Sequence, residues 1–148
     1  MTIERQVDEK TMRLLSIRTV GVGLVIGLAL HGSVSAQERW NRGRNVQPVF
    51  EGWEQNTDGS YTMVFGYLNR NYEEQPVIPV GDNNSFQPGP ADRGQPTHFY
   101  PRRQQFVFEV QVPADWGEQD LVWAVTHNGR TDYARGHLWP VWEIDEGV

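Results

Sequence analysis

The chain has 148 residues, which suits a single domain, and its net charge is −6. Nine arginines and sixteen acidic residues follow residue 36, a balance that disfavours binding to nucleic-acid phosphates or to an anionic membrane surface. The absence of cysteine excludes disulfides, thiol catalysis, Cys-ligated metals and a lipid-modified cysteine.

Residues 1–36 have the three parts of a secretory signal peptide. Arg13 and Arg18 supply positive charge, residues 20–30 form an unbroken apolar run, and small residues end at Ala36. The alternative is a retained membrane anchor, but an anchor needs about 20 apolar residues and Arg18 precedes a shorter run. We therefore expect cleavage after Ala36 and a periplasmic or secreted protein without a membrane anchor.

The composition divides the chain into four parts. Because the first eleven residues include three acidic ones, which are unusual in a signal peptide, we expect the true start at Met12. The predicted parts are a signal peptide (1–36), a linker (37–45), a β domain (46–138) and an acidic C-terminal tail (139–148).

The first strands of the domain are predicted to form a hairpin. Residues 49–53 and 61–68 are rich in β-forming residues, and the turn signal Asp58-Gly59 lies between them. The following segment, residues 69–103, contains six prolines and three glycines. We expect a long loop there, with one short edge strand at residues 76–80.

A further strand and a second hairpin are predicted after the loop. Phe106, Phe108, Val110 and Val112 alternate with other residues, which is the period of a half-buried strand.

The second hairpin turns at Asn128-Gly129, the preferred pair for a two-residue type I′ turn. This turn would pair Trp123 with Ala134 and Thr126 with Thr131. The predicted fold is all-β, a single antiparallel β-sandwich of immunoglobulin or fibronectin type III character.

Five short stretches together resemble a group of uncharacterised exported bacterial proteins. That group has an FGYxNRN segment, a GQPTxFxPxRQ segment, a VPxDW turn and an LVW strand. The matching stretches are FGYLNRN (65–71), GQPTHF (94–99), PRRQ (101–104), VPADW (112–116) and LVW (121–123). The resemblance implies an exported, β-rich bacterial protein, and it implies no functional residue.

Aromatic and arginine side chains are the candidates for binding a partner. Exposed rings can stack on sugars or anchor protein interfaces, and arginine forks recognise carboxylates. The alternatives are that the tryptophans cover one end of the sandwich and that the arginines pair with acidic residues of the loop. The candidate residues are Trp116, Trp139, Trp142, Arg93, Arg102 and Arg103.

A calcium site is a second, weaker hypothesis. Asp82, Asn84 and Asp92 carry oxygen ligands within the long loop, but their spacing lacks the register of a known calcium motif and also suits ordinary turns. The histidines lack a zinc spacing, and no catalytic motif is present. We therefore expect a non-catalytic exported module that binds a protein or carbohydrate and needs no cofactor. The alternative is a small calcium-dependent protein or an enzyme that uses the carboxylates of residues 73–92.

Overall fold

The computed structural model describes residues 40–144. The predicted signal peptide, its start and its cleavage site lie outside the described residues, as do residues 37–39 of the predicted linker and the last four residues of the tail. Within residues 40–144 there is no helix with the length and apolarity that a membrane span requires.

The described chain is mostly β-strand and forms two antiparallel sheets of three strands each. Their orders are β1-β2-β4 and β3-β5-β6. The only helical element between residues 40 and 144 is one 3-10 turn, Pro140–Trp142. The strands are β1 (Val46–Gln55), β2 (Tyr61–Asn69), β3 (Asn84–Gln87), β4 (Arg102–Val112), β5 (Leu121–His127) and β6 (Arg130–Gly136).

The first predicted hairpin is confirmed. β1 pairs with β2 from Val46 opposite Asn69 to Gln55 opposite Tyr61. At the turn, Asp58 accepts hydrogen bonds from the hydroxyl and the backbone N–H of Ser60, and these bonds lower the pKa of Asp58.

The second hairpin is confirmed with the predicted register. Trp123 faces Ala134 across β5 and β6, and Thr126 faces Thr131. Asn128 and Gly129 both have positive φ, 52° and 73°, as a type I′ turn requires.

The core is built from aromatic rings contributed by both sheets. Phe65 of β2 lies 5.4 Å from Phe86 of β3 and 6.2 Å from Trp123 of β5, and Phe108 of β4 lies 5.0 Å from Trp123, measured between ring centroids. A Cβ on Gly136 would lie only 2.9 Å from the Phe65 ring. The absence of a side chain at Gly136 therefore allows the Phe65 ring to pack closely against β6. Edge-to-face contacts of this kind add to the stabilisation from apolar burial.

In the middle of the chain, one predicted strand is absent and one observed strand was not predicted. Residues 76–80 form no strand, because Pro76 and Pro79 lack the N–H groups that a ladder needs, and only Val77 makes an isolated bridge, to His98. Instead, a strand missing from the prediction, β3, lies inside the expected loop and pairs with β5.

The predicted alternation of residues 106–112 fails at its first position. Phe106 has a φ of +49° and is 61% exposed, whereas Val110 and Val112 are buried. The register between β2 and β4 shifts between Phe65 and Tyr67, so a β-bulge turns Phe106 away from the core.

Candidate functional site

Two segments of the long loop run antiparallel and form what we call the loop ribbon, residues 72–78 and 97–102. Val77 and His98 are bridged, Ile78 donates its N–H to the carbonyl of Thr97 (2.8 Å), and Phe99 donates to the carbonyl of Pro76 (3.0 Å). Side chains alternate between the two faces of such a ladder, so the ribbon has an inner and an outer face.

The inner face of the loop ribbon is packed on the core. Ile78 is 5% exposed and Phe99 is fully buried. The Phe99 ring contacts the Tyr67 ring edge to face, with 4.9 Å between centroids, and the Tyr67 hydroxyl accepts the backbone N–H of Tyr100 at 2.9 Å. Burial raises the pKa of Tyr67, and the hydrogen bond from Tyr100 opposes this rise.

Buried amide side chains hold the ribbon's backbone in place. Asn69 donates to the carbonyls of Glu74 (2.7 Å) and Phe99 (3.1 Å), one on each segment. Asn84 donates to the carbonyls of Ile78 and Pro96, both at 2.9 Å. Because backbone carbonyls that ladder bonds do not satisfy are paired in this way, the ribbon is rigid although it is not a regular sheet.

The outer face presents rings and polar groups to solvent. Val77 is 69% exposed and Tyr100 is 55% exposed. The His98 ring packs against the Tyr100 ring in a tilted arrangement, with 4.7 Å between centroids, and its Nε2 lies 3.0 Å from Oε1 of Gln75. At the end of the ribbon, the guanidinium of Arg102 lies 4.2 Å from the centre of the Tyr72 ring.

Of the residues on this face, the sequence indicated only Arg102, and Val77, His98 and Tyr100 were not predicted. The sequence shows no alternation of polar and apolar residues here, because the exposed Val77 and Tyr100 are as apolar as the buried Ile78 and Phe99 beside them. The prolines of this segment indicated an irregular loop instead.

The three candidate arginines have different environments. Arg102 belongs to the outer face of the ribbon. Arg93 donates to the carbonyl of Pro88 (2.8 Å) and so closes its own turn. Arg103 binds both oxygens of Glu51, at 2.6 and 2.7 Å.

The Arg103–Glu51 pair differs from the pairing within the loop that the sequence suggested. It crosses β2 at Gly66, where a Cβ would overlap an oxygen of Glu51 and the carbonyl of Gln104. The pair therefore fills the space beside the bulge. The Arg103 side chain stabilises the fold through Glu51 and does not serve as a contact for a partner.

The three candidate tryptophans do not share one exposed face. Trp116 is buried (7% exposed), and its Nε1 donates to the carbonyl of Gln119, so it presents no ring to a partner. Trp139 and Trp142 are 61% and 42% exposed, and both rings contact the His137 ring, at 4.4 and 5.9 Å between centroids.

The segment that carries Trp139 and Trp142 is docked on β1. Trp53 donates its Nε1 to the carbonyl of Trp139 (2.9 Å), and its own carbonyl accepts the N–H of Ile144 (2.8 Å). Gly52 leaves room for this segment, since a Cβ there would lie 2.6 Å from the carbonyl oxygen of Trp142. The tail residues up to Ile144 are therefore part of the folded unit, beyond the predicted boundary at residue 138.

The calcium candidates are not arranged as a ligand set. Asn84 is fully buried, and its oxygen accepts the indole N–H of Trp123 at 2.9 Å. Asp82 and Asp92 are exposed, and Asp92 accepts the N–H of Gly94 in a local turn. Across the part of the chain that the structure describes, no group of three His, Cys, Asp or Glu side chains is placed to hold a metal ion.

Comparisons with known proteins identify no similar protein. No family model matches the chain, and neither the curated proteins nor the solved structures include a match. Inference about function therefore depends on the geometry described above, with the outer face of the loop ribbon as the candidate site.

Proposed function

We propose that this protein is a non-catalytic binding module that acts outside the cytoplasm. The expected signal peptide supports the location, and the resemblance to exported bacterial proteins agrees with it. We further propose that the two sheets form one β-sandwich of immunoglobulin or fibronectin type III character. The ring contacts between Phe65, Phe86 and Trp123 support a shared core between the sheets.

The observation that carries the proposal is a rigid ribbon with an exposed aromatic face. Val77 and Tyr100 stay exposed although Pro76, Ile78 and Phe99 beside them are buried and hydrogen-bonded. A surface that is ordered before binding loses little conformational entropy when a partner arrives. Tyrosine and arginine are also, together with tryptophan, enriched among the residues that contribute most at binding surfaces.

A carbohydrate is the partner that best fits this face. The apolar side of a sugar ring can pack on Tyr100, and its hydroxyl groups need hydrogen-bonding groups close to that ring. His98 and Gln75 lie there, and Arg102 lies next to Tyr72. The face is small and mixed in polarity, whereas the centre of a protein–protein interface is more apolar.

Affinity electrophoresis in gels that contain defined soluble polysaccharides tests this proposal. We expect at least one polysaccharide to retard the protein and Tyr100→Ala to weaken that binding about fivefold, because covering half of a large ring contributes about 1 kcal/mol. Tyr133→Ala is the matched control, since Tyr133 is equally exposed (56%) but lies on β6, outside the ribbon.

Two results would count against the proposal. The carbohydrate assignment fails if no polysaccharide retards the wild-type protein. The assignment of the binding face fails if Tyr133→Ala weakens binding as much as Tyr100→Ala does.

A further inference from the structure

A polar cavity lies apart from the outer face of the loop ribbon, between the residues before β1 and the β5–β6 turn. We call it the basic pocket. It has a volume of about 160 Å³ and is lined by Gly43, Arg44, Asn45, His127, Asn128 and Arg130. Its lining contains three basic side chains and no acidic one, in a protein whose net charge is −6.

The walls of the basic pocket are fixed by partly buried hydrogen bonds. Asn71 accepts the N–H of Arg44 (2.7 Å) and donates to its carbonyl (2.8 Å). On the opposite wall, the type I′ turn at Asn128-Gly129 sets the ends of β5 and β6. The pocket therefore exists without a ligand, which favours binding because little ordering is required.

The acidic groups next to the pocket already have partners. Glu74 lies 3.2 Å from Nε2 of His127 and accepts the N–H of Gly43 (2.6 Å). Asp132 is buried, accepts a hydrogen bond from Asn45, and accepts one from Nε of Arg130 at 3.2 Å. These two carboxylates orient the pocket's side chains from behind and do not line it.

Donor groups remain for a ligand. Arg130 uses only its Nε in the bond to Asp132, and its side chain is 65% exposed. The guanidinium of Arg44 lies 5.1 Å from the centre of the Trp40 ring and makes no hydrogen bond to any residue between 40 and 144. Arg44 and Arg130 both line this small cavity, and the guanidinium group recognises planar or tetrahedral oxyanions.

We propose that the basic pocket binds the oxyanion of a small acidic ligand, namely a carboxylate, phosphate or sulfate group. A volume of about 160 Å³ accommodates such a group with a few waters, since one water takes about 30 Å³. The rest of the ligand has space in an adjoining cleft of about 480 Å³, which shares His127 and Asn128 with the pocket.

The cleft borders the proposed carbohydrate face, because Val77 lies in both. No residue that lines the basic pocket belongs to the loop ribbon, and the one ribbon residue in contact with the lining, Glu74, lies outside the exposed rings of the outer face. The two proposals can therefore fail separately.

Titration of the full chain with sodium phosphate, sodium sulfate, sodium acetate and sodium D-galacturonate tests the oxyanion site. Sodium chloride keeps the ionic strength constant, and ¹⁵N–¹H spectra report on the amides of Asn128 and Gly129. We expect saturable shifts of these amides with at least one probe. The strongest probe shows whether the ligand group is a carboxylate or a phosphate-like anion.

Charge-removing variants show which side chains are responsible. Arg44→Gln and Arg130→Gln should each weaken binding about tenfold, because each removes charge-assisted hydrogen bonds. Arg135→Gln is the matched control, since Arg135 is also on β6, is 63% exposed and pairs with Asp120. Arg44→Gln carries the decisive result if Arg130→Gln disturbs the fold through Asp132.

The oxyanion site is refuted if none of the four probes produces saturable shifts beyond those caused by chloride. It is also refuted if Arg135→Gln weakens binding as much as Arg44→Gln. Tyr100→Ala should leave oxyanion binding unchanged, so this measurement is separate from the test of the carbohydrate face.

Discussion

Replacing Asn84 with alanine should be among the most damaging single changes in the long loop. The Asn84 side chain is fully buried and makes three hydrogen bonds of 2.9 Å, donating to Ile78 and Pro96 and accepting from Trp123. These bonds connect the loop ribbon to the central tryptophan of the core. In Asn84→Ala, the carbonyl of Ile78 and the indole N–H of Trp123 stay buried without this partner, and the carbonyl of Pro96 stays partly buried without it.

The expected loss can be worked out from these contacts. Each lost hydrogen bond costs about 1 kcal/mol and more where the partner stays buried, so Asn84→Ala should lower the free energy of unfolding by about 3 kcal/mol. For a domain of this size, that loss corresponds to a decrease in Tm of about 15 °C. The neighbouring Asn83 is exposed, and Asn83→Ala should change the free energy of unfolding by less than about 0.5 kcal/mol.

Urea unfolding monitored by tryptophan fluorescence measures both variants, and thermal unfolding by circular dichroism gives Tm. The reasoning is refuted if Asn84→Ala is within about 1 kcal/mol of Asn83→Ala, because the three hydrogen bonds would then contribute little. Binding should be affected as well, since a loosened ribbon no longer presents Tyr100 in a fixed position.

Three further predictions concern the β-bulge, a buried tyrosine and the tail. Gly66→Ala should lower the free energy of unfolding by about 3 kcal/mol, because its Cβ would separate Arg103 from Glu51; a urea-unfolding loss below about 1 kcal/mol would contradict this. Burial raises the pKa of Tyr67, so the folded state favours the protonated hydroxyl. The contribution of this hydroxyl to the free energy of unfolding is therefore complete below pH 10 and is lost as pH rises through the higher pKa of the folded state. Wild-type stability should therefore fall more steeply above pH 10 than that of Tyr67→Phe, and equal slopes in pH-dependent urea unfolding would refute this. Truncation after Leu138 should cost about 2 kcal/mol through the lost hydrogen bonds to β1, and an unchanged Tm would show that the tail is not part of the folded unit.

The hairpins could be predicted because their signals are local. A type I′ turn requires two residues that tolerate positive φ, and Asn128-Gly129 meets this requirement within two positions of sequence. Once the turn is fixed, the register follows by counting outward, so the pairing of Trp123 with Ala134 was predictable before any contact was known.

The bulge and the anchors of the ribbon could not be predicted because they depend on distant residues. Arg103 and Glu51 are 52 positions apart, and Asn84 and Trp123 are 39 apart. Nothing in the sequence indicates that Gly66 leaves space for an ion pair or that Phe106 therefore turns outward. Composition indicated a long loop here, but it could not show that part of the loop is a rigid ladder.

The burial of Trp116 shows the same limit at a single residue. A tryptophan next to a Pro-Ala-Asp turn is compatible with exposure or burial. Its burial depends on whether the turn folds back over the core, and here the hydrogen bond from the indole to Gln119 accompanies that packing.

The most direct test of the proposed binding face is a map of where the ligand binds. The ¹⁵N–¹H spectra of the full chain should be recorded with an oligosaccharide cut from the polysaccharide that retards the protein most strongly. We predict that the largest shifts fall in residues 75–78 and 98–102, and that Tyr100→Ala removes them while Tyr133→Ala keeps them. Shifts concentrated in residues 139–144 instead would contradict the account and would assign binding to the exposed Trp139 and Trp142.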